Sequence, residues 1–315
     1  MESGTDFSTA NTPEGVAEVV AVLVAVTELS ARVLTVDSGC ALPYGPFTPV
    51  HRSLQSGVRA WVQEQTRQPM GYVEQLYTFV DTTRSRASGH PVIYISYLGL
   101  VREAAESLLQ SQAKWLDWYL YFPWEDHRQG RPAMIDELFI PRFQAWIEAA
   151  TDEQSRQQRQ ARVAMCWGLN GNAWLDEQVL SRYELMYEVG LIPESPYREQ
   201  PLAAASVGRF MKHDHRRVLA TAISRLRAKI KYRPVIFELM PREFTLLQLQ
   251  ECIETLAGME LHKQNFRRLI QHQELLEATG QSIVLGRGRP AQRYRFKDTV
   301  LLESILSGNK LPLSR

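Results

Sequence analysis

The sequence predicts an α+β chain of about two domains, at roughly 150 residues per domain. Three patterns in its 315 residues support that expectation: a front end of β-branched runs around one amphipathic helix, a helical middle, and a back end in which two short helices precede a basic hairpin. Val16 to Val26 is a dense Val/Ala/Leu run that reads as a strand buried on both faces, and Ala31 to Val36 reads as a second strand. Pro43, Gly45, Pro46 and Pro49 mark a loop. Residues 51–66 read as a helix, with Leu54, Val58, Trp61 and Val62 on one face. Tyr72 to Asp81 and Pro91 to Val101, rich in aromatic and β-branched residues, read as two more strands with a turn at 82–90.

From residue 102 onward the pattern turns helical. Residues 141–192 read as two or three helices and 193–208 as a proline-containing connector. His215 to Lys231 forms a further helix, lined on one side by Val218, Ala222, Ile223, Leu226 and Ile230. The expected divisions are a flexible 1–15, a front domain core at 16–125, a helical insertion and connector at 126–208, a basic closing helix at 209–233, and a back domain at 234–310. The aromatic cluster Trp115, Trp118, Tyr119, Tyr121, Phe122 and Trp124 has two readings: core or dimer packing, or a wall on which an adenine stacks.

Composition narrows the function classes. Hydrophobic residues at 44% and charged residues at 23% fit a folded soluble chain and exclude disorder, collagen and coiled-coil rods. The longest apolar run, Val19 to Val26, is too short to span a bilayer, and the first 15 residues lack the basic and apolar regions of a secretory signal. Cys40, Cys166 and Cys252 are too scattered for a disulfide framework or a zinc knuckle, so the expected compartment is the reducing cytoplasm. His213 and His215 have no Cys or acidic partner at metal-ligand spacing, so no metal site is expected there. The net charge of +1 hides a division: residues 1–153 hold 11 Lys/Arg against 19 Asp/Glu, and residues 154–315 hold 25 against 16. A basic back half points to a polyanionic partner. Within it, Arg209 to Arg233 has nine Lys/Arg and one acid, either a solvated helix face or a set of phosphate contacts.

The basic half contains a coherent motif. Thr245-x-x-Gln248 is a capping box ahead of Leu246, Leu249, Ile253 and Leu256, and Gly258 stops that helix. A short turn leads to a second helix, Lys263 to about Gln271, completing a helix-turn-helix. Phe266, Leu269 and Ile270 are expected to pack inward. Gln264, Arg267, Arg268 and Gln271 point away, with Lys263 and Asn265 on the flanks. Arginine can pair bidentately with guanine, glutamine with adenine, and lysine with phosphate, so this face suits a major groove. Leu275-Leu276-Glu277 reads as a strand start, Thr279-Gly280 as a turn, and GRGRPAQRYRF (286–296) as a basic strand with Arg293 and Arg295 on one side and Tyr294 and Phe296 on the other. The layout is a winged helix. Its tip, Arg287-Gly288-Arg289-Pro290, resembles an AT-hook core that lays arginine along a minor groove.

The front half resembles a Nudix hydrolase box stripped of its carboxylates. The pattern G-x5-E-x7-R-E-U-x-E-E-x-G-U closes without gaps on Gly45, Arg59, Trp61 and Glu64. His51, Ala60 and Gln63 stand where three glutamates belong, Thr66 replaces the second glycine, and Arg67 replaces the last bulky residue. One carboxylate, Glu64, is too few for the Mg²⁺ cluster that activates water in such enzymes. The segments 72–79, FELMPREFTLLQLQECIETLAG (237–258), LHKQNFRRLI (261–270) and GRPAQRYRF (288–296) resemble the Nudix-related transcriptional regulators of NAD metabolism. The long helical stretch resembles the NadQ-type branch, in which the box is degenerate.

That resemblance implies a cytoplasmic repressor. Its partners would be double-stranded DNA bearing a palindromic operator, a nucleotide effector (ATP, NAD or an ADP-ribose-like molecule), and a second copy of the chain, with no membrane. No cofactor or metal is required. Lys263, Gln264, Arg267, Arg268, Arg287, Arg289, Arg293 and Arg295 are the expected DNA contacts, and Arg59, Gln63, Glu64 and His51 the expected effector contacts. The alternative is a Mg-dependent hydrolase of ADP-ribose or related nucleoside diphosphates with an atypical metal site.

Overall fold

The computed structural model describes residues 16–71, 73–80, 89–198, 201–232, 236–284 and 290–299. Its front sheet is built on β1 (Val16–Thr27), which pairs antiparallel with β2 (Ser30–Thr35) and β3 (Tyr44–Pro46) and parallel with β5 (Val92–Leu100). The outer strands are β4 (Val73–Val80), antiparallel to β5, and β6 (Lys114–Asp117), antiparallel to β2. The order is β4-β5-β1-β2-β6 with β3 beside β1. As expected, β1 is buried on both faces. Val20, Val22 and Val24 enter the main core, while Val19, Ala21 and Leu23 pack against α1 (Leu54–Thr66) through Val58 and Val62. The period-two alternation of a strand thus serves two apolar layers at once.

Helix α1 starts at Leu54 because Ser53 and Ser56 form a reciprocal cap: the Ser53 hydroxyl accepts from the Ser56 amide at 3.1 Å, and the Ser56 hydroxyl accepts from the Ser53 amide at 2.9 Å. Residues 51–53 therefore lie outside the helix.

Residues 102–125 differ from the expected helical pattern, whereas 141–192 holds three helices as expected. Lys114–Asp117 is a strand, because the outer edge of β2 is free to pair with it in the register Arg32↔Asp117 to Thr35↔Lys114. The aromatic cluster then continues as two 3₁₀ turns, Trp118–Leu120 and Pro123–Glu125, not as a helix. All six rings are buried, from 0% to 7% exposed, so the adenine-stacking wall gives way to the packing reading. The loop at 43–49 contains the short strand β3. A π-helical turn, Ile135–Phe139, leads into α2 (Ile140–Glu148), followed by α3 (Glu153–Trp167), α4 (Val179–Glu188), α5 (Ala204–Val207) and α6 (His215–Tyr232). Val218, Ala222, Ile223, Leu226 and Ile230 on α6 are all buried.

The back of the chain comprises β7 (Phe244–Thr245), α7 (Leu246–Ala257), α8 (Lys263–Gln273), β8 (Leu276–Ile283) and β9 (Ala291–Phe296), with sheet order β7-β9-β8. Thr279-Gly280 is not the hairpin turn. It lies in a register irregularity of β8 between Ala278 and Ser282, and β8 continues to Ile283. One apolar core runs from Val20 and Val22 through Trp124, Trp167 and Leu226 to Leu249, Phe266 and Phe296. The helices between residues 126 and 208 share that core with both ends of the chain. Among the described residues, no helix is long and apolar enough to cross a membrane.

Much of the basic block 209–233 is paired with carboxylates, while Arg225 is exposed and Arg233 lies outside the described residues. Arg216 is fully buried and pairs with Glu194 at 3.0 Å; Arg217 pairs with Asp214 at 2.7 Å and Glu184 at 2.8 Å; Lys229 pairs with Glu74 at 2.7 Å and Lys231 with Glu177 at 3.1 Å. Lys212 pairs with Asp37. Most of these cations hold α6 to its neighbours. His215 is likewise internal, its Nδ1 accepting from the Leu42 amide at 3.0 Å.

The polar centre of the molecule is Glu125. Its carboxylate accepts from Arg182 at 2.6 and 2.8 Å and from Arg227 at 2.8 Å, and all three side chains are 0–1% exposed. Burial alone would raise the Glu125 pKa, but the charges of Arg182 and Arg227 outweigh it and hold the carboxyl below its usual value. Arg227 Nε also donates to the Leu256 carbonyl at 2.9 Å, the Tyr119 hydroxyl donates to the Thr255 carbonyl at 2.7 Å, and the His127 amide donates to the Gly258 carbonyl. The carboxyl end of α7 is therefore capped from outside the helix-turn-helix.

Two predictions follow from this packing. Gly258 and Gly280 have φ of +70° and +77°. A Cβ on Gly258 would overlap the Glu125 carbonyl and lie 2.7 Å from both Arg227 and the Tyr119 hydroxyl, whereas Gly280 has nothing within 4 Å. Gly280→Ala should cost about 1 kcal/mol, the left-handed penalty alone, and Gly258→Ala about 3 kcal/mol or more, measured by urea denaturation. The second concerns Glu238, a half-buried carboxyl that burial pushes up to about 7, with Glu74 adding to the shift and Lys229 opposing it. A folded pKa above the unfolded value means stability present below about pH 4.5 and lost as pH rises through about 7. Glu238→Gln should therefore match the parent near pH 4.5 and exceed it by about 3 kcal/mol at pH 8.

Candidate nucleic-acid interface

Helix α7 begins at a reciprocal cap. The Thr245 hydroxyl accepts from the Gln248 amide at 3.2 Å, and Gln248 Oε1 accepts from the Thr245 amide at 2.8 Å. It ends at Gly258 in the left-handed conformation. The turn to α8 is locked from within: Gln250 Nε2 donates to Glu254 Oε1 at 2.8 Å and to the Leu261 carbonyl at 3.0 Å, while the Leu261 amide donates to Glu254 Oε1 at 2.8 Å. These contacts fix where α8 starts.

Helix α8 buries Phe266 and Ile270 and exposes Lys263, Gln264, Asn265, Arg267, Arg268 and Gln271. Leu269 departs from expectation at 39% exposed, because α8 meets the core along a strip only as wide as the Phe266–Ile270 pair. Exposed cations and amides thus occupy most of the helix circumference, presenting guanidinium forks, amides and an ammonium on a rigid rod.

The wing is more mixed. Phe296 is buried against Phe244, with ring centroids 5.1 Å apart, and Tyr294 is half-buried. Arg293 donates to Glu243 at 3.1 Å and Arg295 to Glu277, so both guanidinium groups are partly neutralised by neighbouring carboxylates. Arg287 and Arg289 lie outside the described residues.

The box helix keeps its packing. Gly45 approaches Trp61 so closely that a Cβ would overlap the indole, and Trp61 Nε1 donates to the Pro46 carbonyl at 3.0 Å. Arg59 is committed to the loop after α1, donating to the Met70 carbonyl at 2.9 Å and the Gly71 carbonyl at 2.7 Å. Gln63 and Glu64 are exposed. His51 accepts from the Thr48 amide at 3.2 Å and packs near Gly57 and Trp61. Gly57 and Arg59 are separated by about 200° around a helix. His51 therefore sits on the opposite side of α1 from Arg59 and Gln63, and the four expected effector contacts do not converge. Among the described residues, no group of three or more His, Cys, Asp or Glu could hold a metal ion. Glu64 alone offers a Mg²⁺ ion too few oxygens for tight binding.

The sequence reading missed the residues that cap α7 from outside. A signal was available. Helix α7 has no basic residue in its last turn, although its final carbonyls need donors. Arg227 falls on the apolar stripe of α6, one turn from Ile223 and from Ile230.

Residues 236–296 match the family model of the NrtR DNA-binding winged helix domain. An 83-residue stretch is 42% identical to the ADPR responsive transcriptional repressor NtrR of Acinetobacter baylyi, covering 26% of this chain and 33% of that protein. The match thus spans a third of the curated relative's length. The fold extends further than the sequence match. NrtR of Shewanella oneidensis, solved with a 27mer DNA, superposes with a TM-score of 0.51 at 22% identity, over 90% of this chain and 94% of that one. A MutT/nudix family protein from Enterococcus faecalis superposes with a TM-score of 0.51 at 14% identity, over 90% and 88% of the two chains. At these identities the similarity is one of fold: a Nudix-like front part followed by a winged helix.

The uneven burial of α8 has a measurable consequence. Phe266→Ala should cost about 3–5 kcal/mol, as expected for emptying a buried ring site. Leu269→Ala should cost under about 1 kcal/mol in the same denaturation experiment.

Proposed function

We propose that this chain is a cytoplasmic transcriptional repressor that binds palindromic duplex DNA as a homodimer. The observation that carries this reading is the outer face of α8. Lys263, Gln264, Arg267 and Arg268 are exposed and free of side-chain partners among the described residues, on the second helix of a segment that matches a DNA-binding domain family. Arg267 and Arg268 read base edges, Gln264 supports adenine recognition, and Lys263 contacts phosphate. Arg287 and Arg289 follow the minor groove beside the wing, and Arg293 and Arg295 contribute after exchanging a carboxylate for a phosphate. A two-fold dimer places its recognition helices about 34 Å apart, one DNA turn.

The front half senses a nucleotide and does not hydrolyse it. The Acinetobacter relative is named as ADPR responsive, which supports an effector of the ADP-ribose class over NAD or ATP. Binding on the Arg59–Gln63 side of α1 requires Arg59 to exchange its loop carbonyls for ligand oxygens. The loss of three box carboxylates supports a non-enzymatic role and the NadQ-type branch of regulators of NAD biosynthesis, as does the long helical segment at 126–208.

Fluorescence anisotropy with duplexes selected from a random pool tests the assignment. Arg268→Ala should weaken binding by about 1–3 kcal/mol and relax preference at one base position. Lys263→Ala should weaken all sequences alike and make the salt slope shallower by about one unit. Unchanged affinity in both variants would remove α8 as the reading helix. ADP-ribose, NAD and ATP are titrated into the same complex, and Mg²⁺-dependent turnover that disappears in Glu64→Ala would replace the sensor by the hydrolase.

A further inference from the structure

We infer that Tyr119 and Arg227, with Glu125 holding Arg227 in place, are positioning residues that set the spacing between the two recognition helices. This inference rests on the reading of the chain as a two-fold DNA-binding protein. None of the three belongs to the winged helix and none faces its exposed surface, yet together they fix the end of α7 from which α8 departs.

The last carbonyls of an α-helix have no partner within the helix. Two of these α7 carbonyls, and that of Gly258 just past the helix, are taken by donors from outside the winged helix: Thr255 by the Tyr119 hydroxyl at 2.7 Å, Leu256 by Arg227 Nε at 2.9 Å, and Gly258 by the His127 amide at 2.6 Å. Arg227 Nη2 also donates to the Tyr119 hydroxyl at 3.2 Å, so the two side-chain caps are linked. Arg227 places a full positive charge at the negative end of the α7 dipole. Arg128 adds a fourth link, donating to the Leu29 carbonyl in the β1–β2 turn at 2.7 Å and to the Thr255 hydroxyl at 3.4 Å. Gly258 leaves no slack, since a single Cβ there would meet Glu125, Arg227 and Tyr119 at once.

The geometry downstream makes this anchoring matter for DNA. Helix α8 has 11 residues and starts at Lys263. At 1.5 Å per residue it is about 16 Å long, so a tilt of about 12° at its start moves its far end by about one base-pair rise of 3.4 Å. A rigid cap therefore rejects operators whose half-sites are one or two base pairs too close or too far. A loosened cap accepts them.

Tyr119→Phe removes the hydroxyl and keeps the ring, and Arg227→Lys keeps the charge and loses the fork. Full-length parent and variants are measured by anisotropy on the selected operator and on versions with one or two base pairs inserted or deleted between half-sites. The parent should lose about 30-fold or more in affinity on the altered spacings. In both variants that penalty should shrink at least fivefold, with less than a tenfold loss on the original operator and no change in salt slope, because no phosphate contact is removed. A variant that loses only overall affinity, or keeps the parent's spacing profile, overturns the inference, as does a flat profile in the parent. Amide hydrogen exchange on the free proteins gives a second readout. Exchange across residues 258–263 should quicken at least tenfold in Tyr119→Phe while α6 stays protected, and unchanged exchange there also overturns the proposal. If the parent binds no duplex, the DNA reading fails, and the exchange measurement alone decides whether these residues hold the turn.

Discussion

One carboxylate held between two guanidinium groups organises the polar interior of this protein. Glu125, Arg182 and Arg227 carry a net positive charge with essentially no solvent contact. An uncompensated charge at such depth would be ruinous, and removing one partner of a buried pair typically costs about 3–5 kcal/mol. The excess charge is balanced by carbonyl groups. Arg182 Nη1 donates to the carbonyls of Cys166 and Leu175, and Arg227 donates to those of Asp176 and Leu256. Trp174 closes the site, with its ring 3.8 Å from the Arg182 guanidinium carbon. Segments far apart in the chain thus converge because each has carbonyls to offer two buried cations.

This arrangement explains the division of labour among the basic residues. In α6 most of the cations pair inward or sideways and hold the molecule together, with Arg225 the exposed exception. In α8 they face solvent without acidic partners among the described residues. The same side chains therefore serve cohesion in one helix and recognition in the other, and what separates them is whether a carboxylate lies within reach. The wing is intermediate, since Glu243 and Glu277 accompany its arginines.

Much of this was legible in the sequence, and the omissions have physical causes. The β1 run, the two-sided burial, the Thr245–Gln248 box, the Gly258 stop and the buried Phe266 and Ile270 all depend on local periodicity or capping, which a single segment displays. Lys114–Asp117 was not legible as a strand, because its ladder partner lies about 80 residues away in β2. Counting charge over 209–233 could not separate exposed from internal cations, although Arg216 and Arg227 lie on the same stripe as Ala220 and Ile223. Thr279-Gly280 has turn chemistry but sits in a strand irregularity, since a left-handed glycine serves both. The box alignment located α1 and its Trp61–Gly45 contact, while the position of His51 depends on a cap at Ser53 that moves it out of the helix.

The dependence of α7 on Tyr119, His127 and Arg227 also bears on how such a chain could have been assembled. The segment that matches a DNA-binding family starts at residue 236, but the groups that satisfy the end of its first helix are encoded more than a hundred residues earlier, and on α6 just before it. Transferring the segment to another protein would carry the reading face along and leave its fastening behind. Residue 258 and residues 119, 125 and 227 should therefore drift as one unit across descendants of this chain, with a change at one tolerated only in the company of changes at the others. The boundary of inheritance and the boundary of mechanical dependence fall in different places.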